Sequence, residues 1–140
     1  MQIEENLVTK TITRNSSDPY YVSLEFMRRM SGRGKVVEKE NSYSTDGPFH
    51  RSEVVFELIQ HLDDWTDMKI VFYLMGENST RNYLRTDIVA SFVSRVEERG
   101  IFTEMFAEFY LENVFPIMKK TAEDKIRNIV SLSEAIMQKV

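Results

Sequence analysis

The sequence predicts an all-α fold, a bundle of about six amphipathic helices around one apolar helix. Three observations predict it. Apolar residues recur at four-residue spacing, as in Val22-Phe26-Met30 and Leu84-Ile88-Phe92-Val96. Residues 102–115 spread Phe102, Met105, Phe106, Phe109, Tyr110, Leu111, Val114 and Phe115 around most of a helical circumference, the pattern of a helix surrounded by others. Helix start and stop signals stand at Asp18-Pro19, Gly76, Asn78-Ser79-Thr80 and Gly100.

Residues 1–16 are polar, with Val8 and Ile12 isolated among polar neighbours, and read as a flexible arm or at most a short strand. The first helix opens where Asp18 caps free N–H groups and Pro19 takes the first helical position. Gly32 and Gly34 end it. Residues 32–47 form a long polar connection; loops of about 15 residues within a domain tend to be functional or disordered. A second helix starts near Pro48, with Val54, Val55, Leu58, Ile59 and Leu62 inward, and closes at Asp63-Asp64. In 66–75, Ile70-Val71-Phe72-Tyr73 suits a buried strand or a buried helix. A lone strand would have no neighbour to pair with, so helix is the expectation, ending at Gly76. Asn78-Ser79-Thr80 opens a strong helix that Gly100 stops. The apolar helix 102–115 follows, and Pro116 ends or kinks it. Thr121 caps a last helix with Ile126, Ile129, Val130, Ile136 and Met137 inward. No internal repeat divides 17–140, which reads as a single domain.

Composition narrows the function. A chain of 140 residues, 42% hydrophobic and 29% charged, fits one globular core. A net charge of −4 speaks against the basic face of a nucleic-acid binder. There is no cysteine, which excludes disulfides and thiolate chemistry and removes zinc's commonest ligand. Met1–Lys10 lacks the apolar core of a secretory signal. The longest apolar run, Ile70–Met75, is far shorter than the roughly 20 residues that span a bilayer. No cofactor is expected.

The chemical constellations read better as ordinary structure. His61 beside Asp63 and Asp64 suggests a metal, but His50 and His61 are the only histidines. Glu104, Glu108 and Glu112 share a helical stripe without a partner base or nucleophile, so a solvated or ion-paired stripe is expected. Gly32-Arg33-Gly34-Lys35 lacks the spacing of a phosphate-binding loop and follows a helix instead of a strand. The many Met and aromatic residues suit core packing, and equally a groove that takes an amphipathic helix.

Taken in order, these pieces resemble the Bcl-2 family of apoptosis regulators over residues 18–139. YYVSLEFMRRMSGRGKV is similar to the family's amino-terminal homology motif, with Ser31-Gly32-Arg33-Gly34 as its turn and a long polar loop after it. The next segment resembles the third homology motif, with Val54, Leu58, His61 and Trp65 at its anchors and Asp63 at its acidic position. Leu62 replaces the small residue expected before that Asp, so the segment reads as a groove wall and not as a donated ligand. FVSRVEERGIFTEMFAEF resembles the fourth helix, its Asp-Gly turn and the first homology motif, with Gly100 at the turn glycine and Phe102 at the tryptophan position once one residue is deleted. Glu104 falls where the family carries an arginine, while Arg95 and Arg99 fall where it often carries acids. No carboxy-terminal motif or membrane anchor is found, as in the short versions carried by large DNA viruses.

The resemblance implies a Bcl-2-like, anti-apoptotic viral protein, not an enzyme, that sequesters the BH3-type helices of host pro-apoptotic proteins in a hydrophobic groove. The groove residues would be Trp65, Ile70, Tyr73, Leu74, Phe92, Val96 and Phe102. Arg95 or Arg99 would answer the ligand's aspartate, and Glu104 would mark the reversed charge. Such a groove also suits a homodimer. The implied location is the host cytoplasm, with recruitment to mitochondria through partners. Two alternatives stay open: a Bcl-2-like modulator of innate immune signalling acting through an outer face, and a small helical nucleic-acid-binding regulator.

Overall fold

The computed structural model of the chain describes residues 2–63, 65–95, 105 and 108–139. Its elements are β1 (Gln2–Asn15), α1 (Pro19–Met30), a 3-10 turn (Ser31–Arg33), β2 (Lys35–Asp46), β3 (Phe49–Asp63), β4 (Thr66–Asn78), β5 (Asn82–Arg95), a π turn (Tyr110–Val114) and α2 (Phe115–Lys139). The strands form one five-stranded sheet in the order β1-β5-β4-β3-β2. Every pairing is antiparallel.

The all-α expectation is therefore overturned, and with it the helical bundle. The expected helices from Pro48, over 66–75 and from Asn78 are β3, β4 and β5. The expected loop 32–47 is mostly β2, and the expected arm 1–16 is mostly β1. The physical reason lies in the spacing. Residues four apart share a face on a helix, but they also share a face on a strand, whose period is two. The residue midway between them decides. Phe56, between Val54 and Leu58, is fully buried, as are Thr86 and Ala90 between Leu84, Ile88 and Phe92. In α1 the midway residues Leu24 and Arg28 lie off the buried stripe of Val22, Phe26 and Met30.

That first helix forms as its sequence directs. Asp18 accepts a hydrogen bond from the Tyr21 N–H at 3.2 Å, and Pro19 occupies the first turn. The strands are joined by tight turns. Asp46 pairs with Phe49 across Gly47-Pro48, and Gly47 takes φ 60°, which a two-residue hairpin turn of this kind requires of its first residue. Asn78-Ser79-Thr80, expected to cap a helix, is the β4–β5 turn, where Asn78 pairs with Asn82. The segment 66–75, expected as a helix because a lone strand would have no neighbour to pair with, is flanked by β3 and β5 on both sides.

Both helices cover one face of the sheet. Val54, Phe56, Leu58, Met68, Ile70, Phe72, Leu74, Leu84, Ile88 and Ala90 meet Val22, Phe26 and Met30 of α1 and Ile126, Ile129, Val130 and Met137 of α2. Phe56 stacks on Phe72 at 4.8 Å, and Phe26 meets Phe72 edge-on at 5.3 Å, an arrangement aromatic rings favour. The other face carries Val55, Val71, Tyr73 and Val89 among ion pairs. Lys69 meets Glu57 at 3.3 Å and Arg85 meets Asp87 at 3.2 Å. Antiparallel sheets accept water on one face, and this face is partly exposed, although Ser91 and Val93 near the end of β5 are buried on it.

Candidate functional site

The lower end of the sheet holds the best-defined polar cluster, built by a proline. Pro116 has no N–H to give to the carbonyl four residues back, and its ring crowds that carbonyl. The chain answers with a π turn over Tyr110–Val114, in which the Phe115 N–H bonds the Tyr110 carbonyl. Helix continues on both sides, so α2 starts at Phe115 rather than at Thr121, and Pro116 lies inside its first turn.

The π turn aims Tyr110 at the β3–β4 turn. The Tyr110 hydroxyl donates to Asp63 Oδ2 at 2.8 Å, while Asp63 Oδ1 accepts the Trp65 N–H at 2.8 Å. Because the phenol has one proton and Asp63 takes it, the Thr66 hydroxyl donates to the Tyr110 oxygen. The Trp65 ring lies edge-on to the Tyr110 ring at 5.2 Å. Val114 and Phe115 pack on Tyr110, and Phe115 also meets Phe92 at 5.0 Å. Burial raises the Tyr110 phenol above its ordinary range; the Thr66 contact opposes the rise and Asp63 reinforces it. With its proton committed to a carboxylate, the phenol anchors the helix to the sheet.

The opposite side of the same helical segment is bare. Met105, Phe109 and Ile117 are 63%, 57% and 62% exposed. Met105 lies four residues before Phe109 in sequence. Across an unbroken α-helix, Ile117 would sit about 80° away from Phe109 around the axis. The wider winding of the π turn reduces that difference. Glu108 and Glu112 stand exposed beside Phe109. Of the apolar helix expected at 102–115, the described residues 108–115 are anchored through Tyr110 and Phe115 and expose Phe109, so they are not enclosed all round; 102–104, 106 and 107 lie outside the described residues.

Among the described residues the expected groove members lie in different places. Ile70, Leu74 and Phe92 are buried in the core, Tyr73 lies on the opposite, open face, and Trp65 sits at the β3–β4 turn. Arg95 closes β5. Val96, Arg99, Phe102 and Glu104 lie outside the described residues. The wall expected from Val54, Leu58 and His61 is β3, with Val54 and Leu58 in the core and His61 at the surface bonded to Asp67. His50 bonds the Tyr43 hydroxyl at 2.7 Å. Among the described residues no group of acids and histidines is placed to hold a metal. Gly34 lies against the Ile59 carbonyl, and the Arg33 carbonyl accepts from Gln60, so this segment is the entry to β2. Among the described residues no helix is long and apolar enough to cross a membrane.

Sequence reasoning missed the Asp63–Tyr110–Thr66 contact because it took Asp63 as a helix end. The available signal was Asp63-Asp64 between two strand-like apolar runs, a turn composition. Comparison with protein-family models and with curated proteins finds no match to this chain.

Proposed function

We propose that this protein is a binding module that takes an amphipathic helix of a partner protein along Met105, Phe109 and Ile117. The carrying observation is the two-sidedness of one helical segment. Tyr110 and Phe115 fix it to the sheet, while Met105, Phe109 and Ile117 are each more than half exposed. Exposed apolar patches of this kind mark interaction sites. Glu108 and Glu112 beside the patch select a partner whose helix carries basic residues next to its apolar stripe. The expected partner, an amphipathic helix, is the same as the one the apolar and Met-rich composition suits. The groove walled by helices is set aside, because three of its intended walls are strands.

The test uses two designed helical peptides, one patterned with Leu and Lys and one with Leu and Glu, titrated by fluorescence anisotropy. The Leu/Lys peptide should bind and the Leu/Glu peptide should bind less tightly. Phe109→Ser with Ile117→Ser should weaken the Leu/Lys complex at least about tenfold with little change in melting temperature, since both side chains are exposed. Glu108→Lys with Glu112→Lys should invert the preference between the peptides. Equal binding by all variants would sink the proposal.

A further inference from the structure

The sheet ends in two long edge strands, β1 and β2, and they differ in kind. An edge presents unpaired N–H and C=O groups, and proteins guard edges with charges, lysines and bulges. β2 is guarded. It carries Lys35, Glu38, Lys39 and Glu40, and a bulge interrupts it between Glu38 and Glu40. β1 has one bulge, between Asn6 and Val8, and beyond it runs unbroken through Val8–Asn15. That stretch, Val8-Thr9-Lys10-Thr11-Ile12-Thr13-Arg14-Asn15, is mostly β-branched and has neither Pro nor Gly. Its two charges are engaged toward α2, Lys10 with Glu134 and Arg14 with the Met137 carbonyl. Thr9, Thr11 and Thr13 are exposed, and the Thr11 hydroxyl bonds Asp87 at 2.7 Å on the open face.

We infer that β1 pairs with β1 of a second copy, antiparallel about a two-fold axis at Thr11, joining the two sheets into one. Charge chooses the register. Directly opposed residues share a face, so the axis must pass through a residue. An axis at Ile12 sets Lys10 against Arg14 of the other copy, twice. An axis at Lys10 sets Lys10 against itself. An axis at Thr11 sets Lys10 against Ile12 and Arg14 against Val8, so no like charges oppose. It also uses all of Val8–Arg14, beyond the bulge, and opposes Thr9 to Thr13 and Thr11 to Thr11, pairs that favour strand association. The interface is isologous and closes at two chains, leaving the guarded β2 edges outermost.

Two double variants test this by sedimentation velocity on the full chain, with circular dichroism to check folding. T9E/T13E opposes two acids at two places across the axis. T9K/T13E differs in one sign and opposes acid to base at the same two places. Neither variant opposes like charges within its own sheet, because position 13 faces Arg85 and position 9 faces Val89. The wild type should be a dimer, T9E/T13E should dissociate, and T9K/T13E should dimerise at least about tenfold more tightly than T9E/T13E. If T9E/T13E fails to fold, T9K/T13E must still dimerise more tightly than the wild type. A wild type that stays monomeric at sub-millimolar concentration overturns the inference. So does a dimer that both variants leave unchanged, or a folded T9K/T13E that gains nothing.

Discussion

Gly76 lies directly beneath Pro19, so close that a methyl group added at Gly76 would sit 2.4 Å from the Pro19 Cβ and 2.6 Å from Ser52 Oγ. The N-terminus of α1 reaches the sheet here because β4 presents no side chain. Proline cannot swing aside, so the strain falls on the backbone. Gly76→Ala should destabilise the protein by about 1–3 kcal/mol, the usual cost of overpacking. Chemical denaturation measures it, and a neutral result would show that α1 does not sit on β4 at this point.

Phe72 and Tyr73 are neighbours in sequence on opposite faces of β4. Phe72 is fully buried against Phe26 and Phe56, whereas Tyr73 is 40% exposed on the open face. Phe72→Ala should cost about 3–5 kcal/mol. Tyr73→Ala should stay within about 1 kcal/mol, as surface changes usually do. A helix over 66–75 would not impose this strict alternation, so measuring a run of alanine variants across Ile70–Leu74 checks the strand itself.

Tyr110 should be the anchor of the helical segment. Tyr110→Phe keeps the ring contacts with Trp65 and removes the proton held by Asp63, leaving a part-buried carboxylate oxygen without its donor. A loss of about 1–2 kcal/mol is expected. The raised phenol pKa sets a pH signature. Its stabilisation is complete below the ordinary tyrosine value of 10.0 and is lost as pH rises through the higher folded-state value. Tyrosinate absorbance should show late-ionising groups, one of which Tyr110→Phe abolishes. Tyr83 is also raised, by its bond to Glu77, so the test reads the difference between wild type and variant.

Glu25 should titrate far into acid. Its hydrogen bond from Arg28, with help from Arg29, holds its pKa at about 2 against an ordinary 4.5. The stabilising contribution is present above pH 4.5 and is lost as pH falls through about 2. Carboxylate chemical shifts followed by NMR check this directly. Raising the salt concentration should bring the value back toward normal, because exposed pairs are screened.

The sequence made α1 and the buried face of α2 legible for a reason that did not extend to the centre of the chain. In α1, Asp18, Pro19 and the glycines after Met30 mark both ends, and the residues between the core positions are polar or lie off the stripe. In α2 the buried residues Ala122, Ile126, Ile129, Val130, Ser133 and Met137 mix spacings of three and four, which only a helix satisfies. The strands offered spacings of four, which decide nothing; the deciding positions are Phe56, Thr86 and Ala90, midway between those residues and themselves buried. β-Branched enrichment in Val54-Val55, Ile70-Val71 and Ile88-Val89 pointed to strands as well. At the candidate site, the apolar character of Phe109, Tyr110 and Phe115 was legible. Which of them face the sheet was not, because the π turn over Tyr110–Val114 shifts Phe115 from its α-helical position relative to Phe109.

The pairing of β1 with β5 has a consequence for how the chain is made. Gln2 lies across from Arg95, and Lys10 is held by Glu134 near the far end of α2. During synthesis β1 therefore leaves the ribosome long before its neighbour exists. Contacts so distant along the chain slow folding, since the intervening loop must be closed before they yield any stabilisation. In that interval a threonine-rich strand stands with both edges open, the condition under which nascent chains associate wrongly and need shielding. Expression at lower temperature, or with a holding chaperone that masks the first strand, should raise the soluble yield more than any change to the finished core.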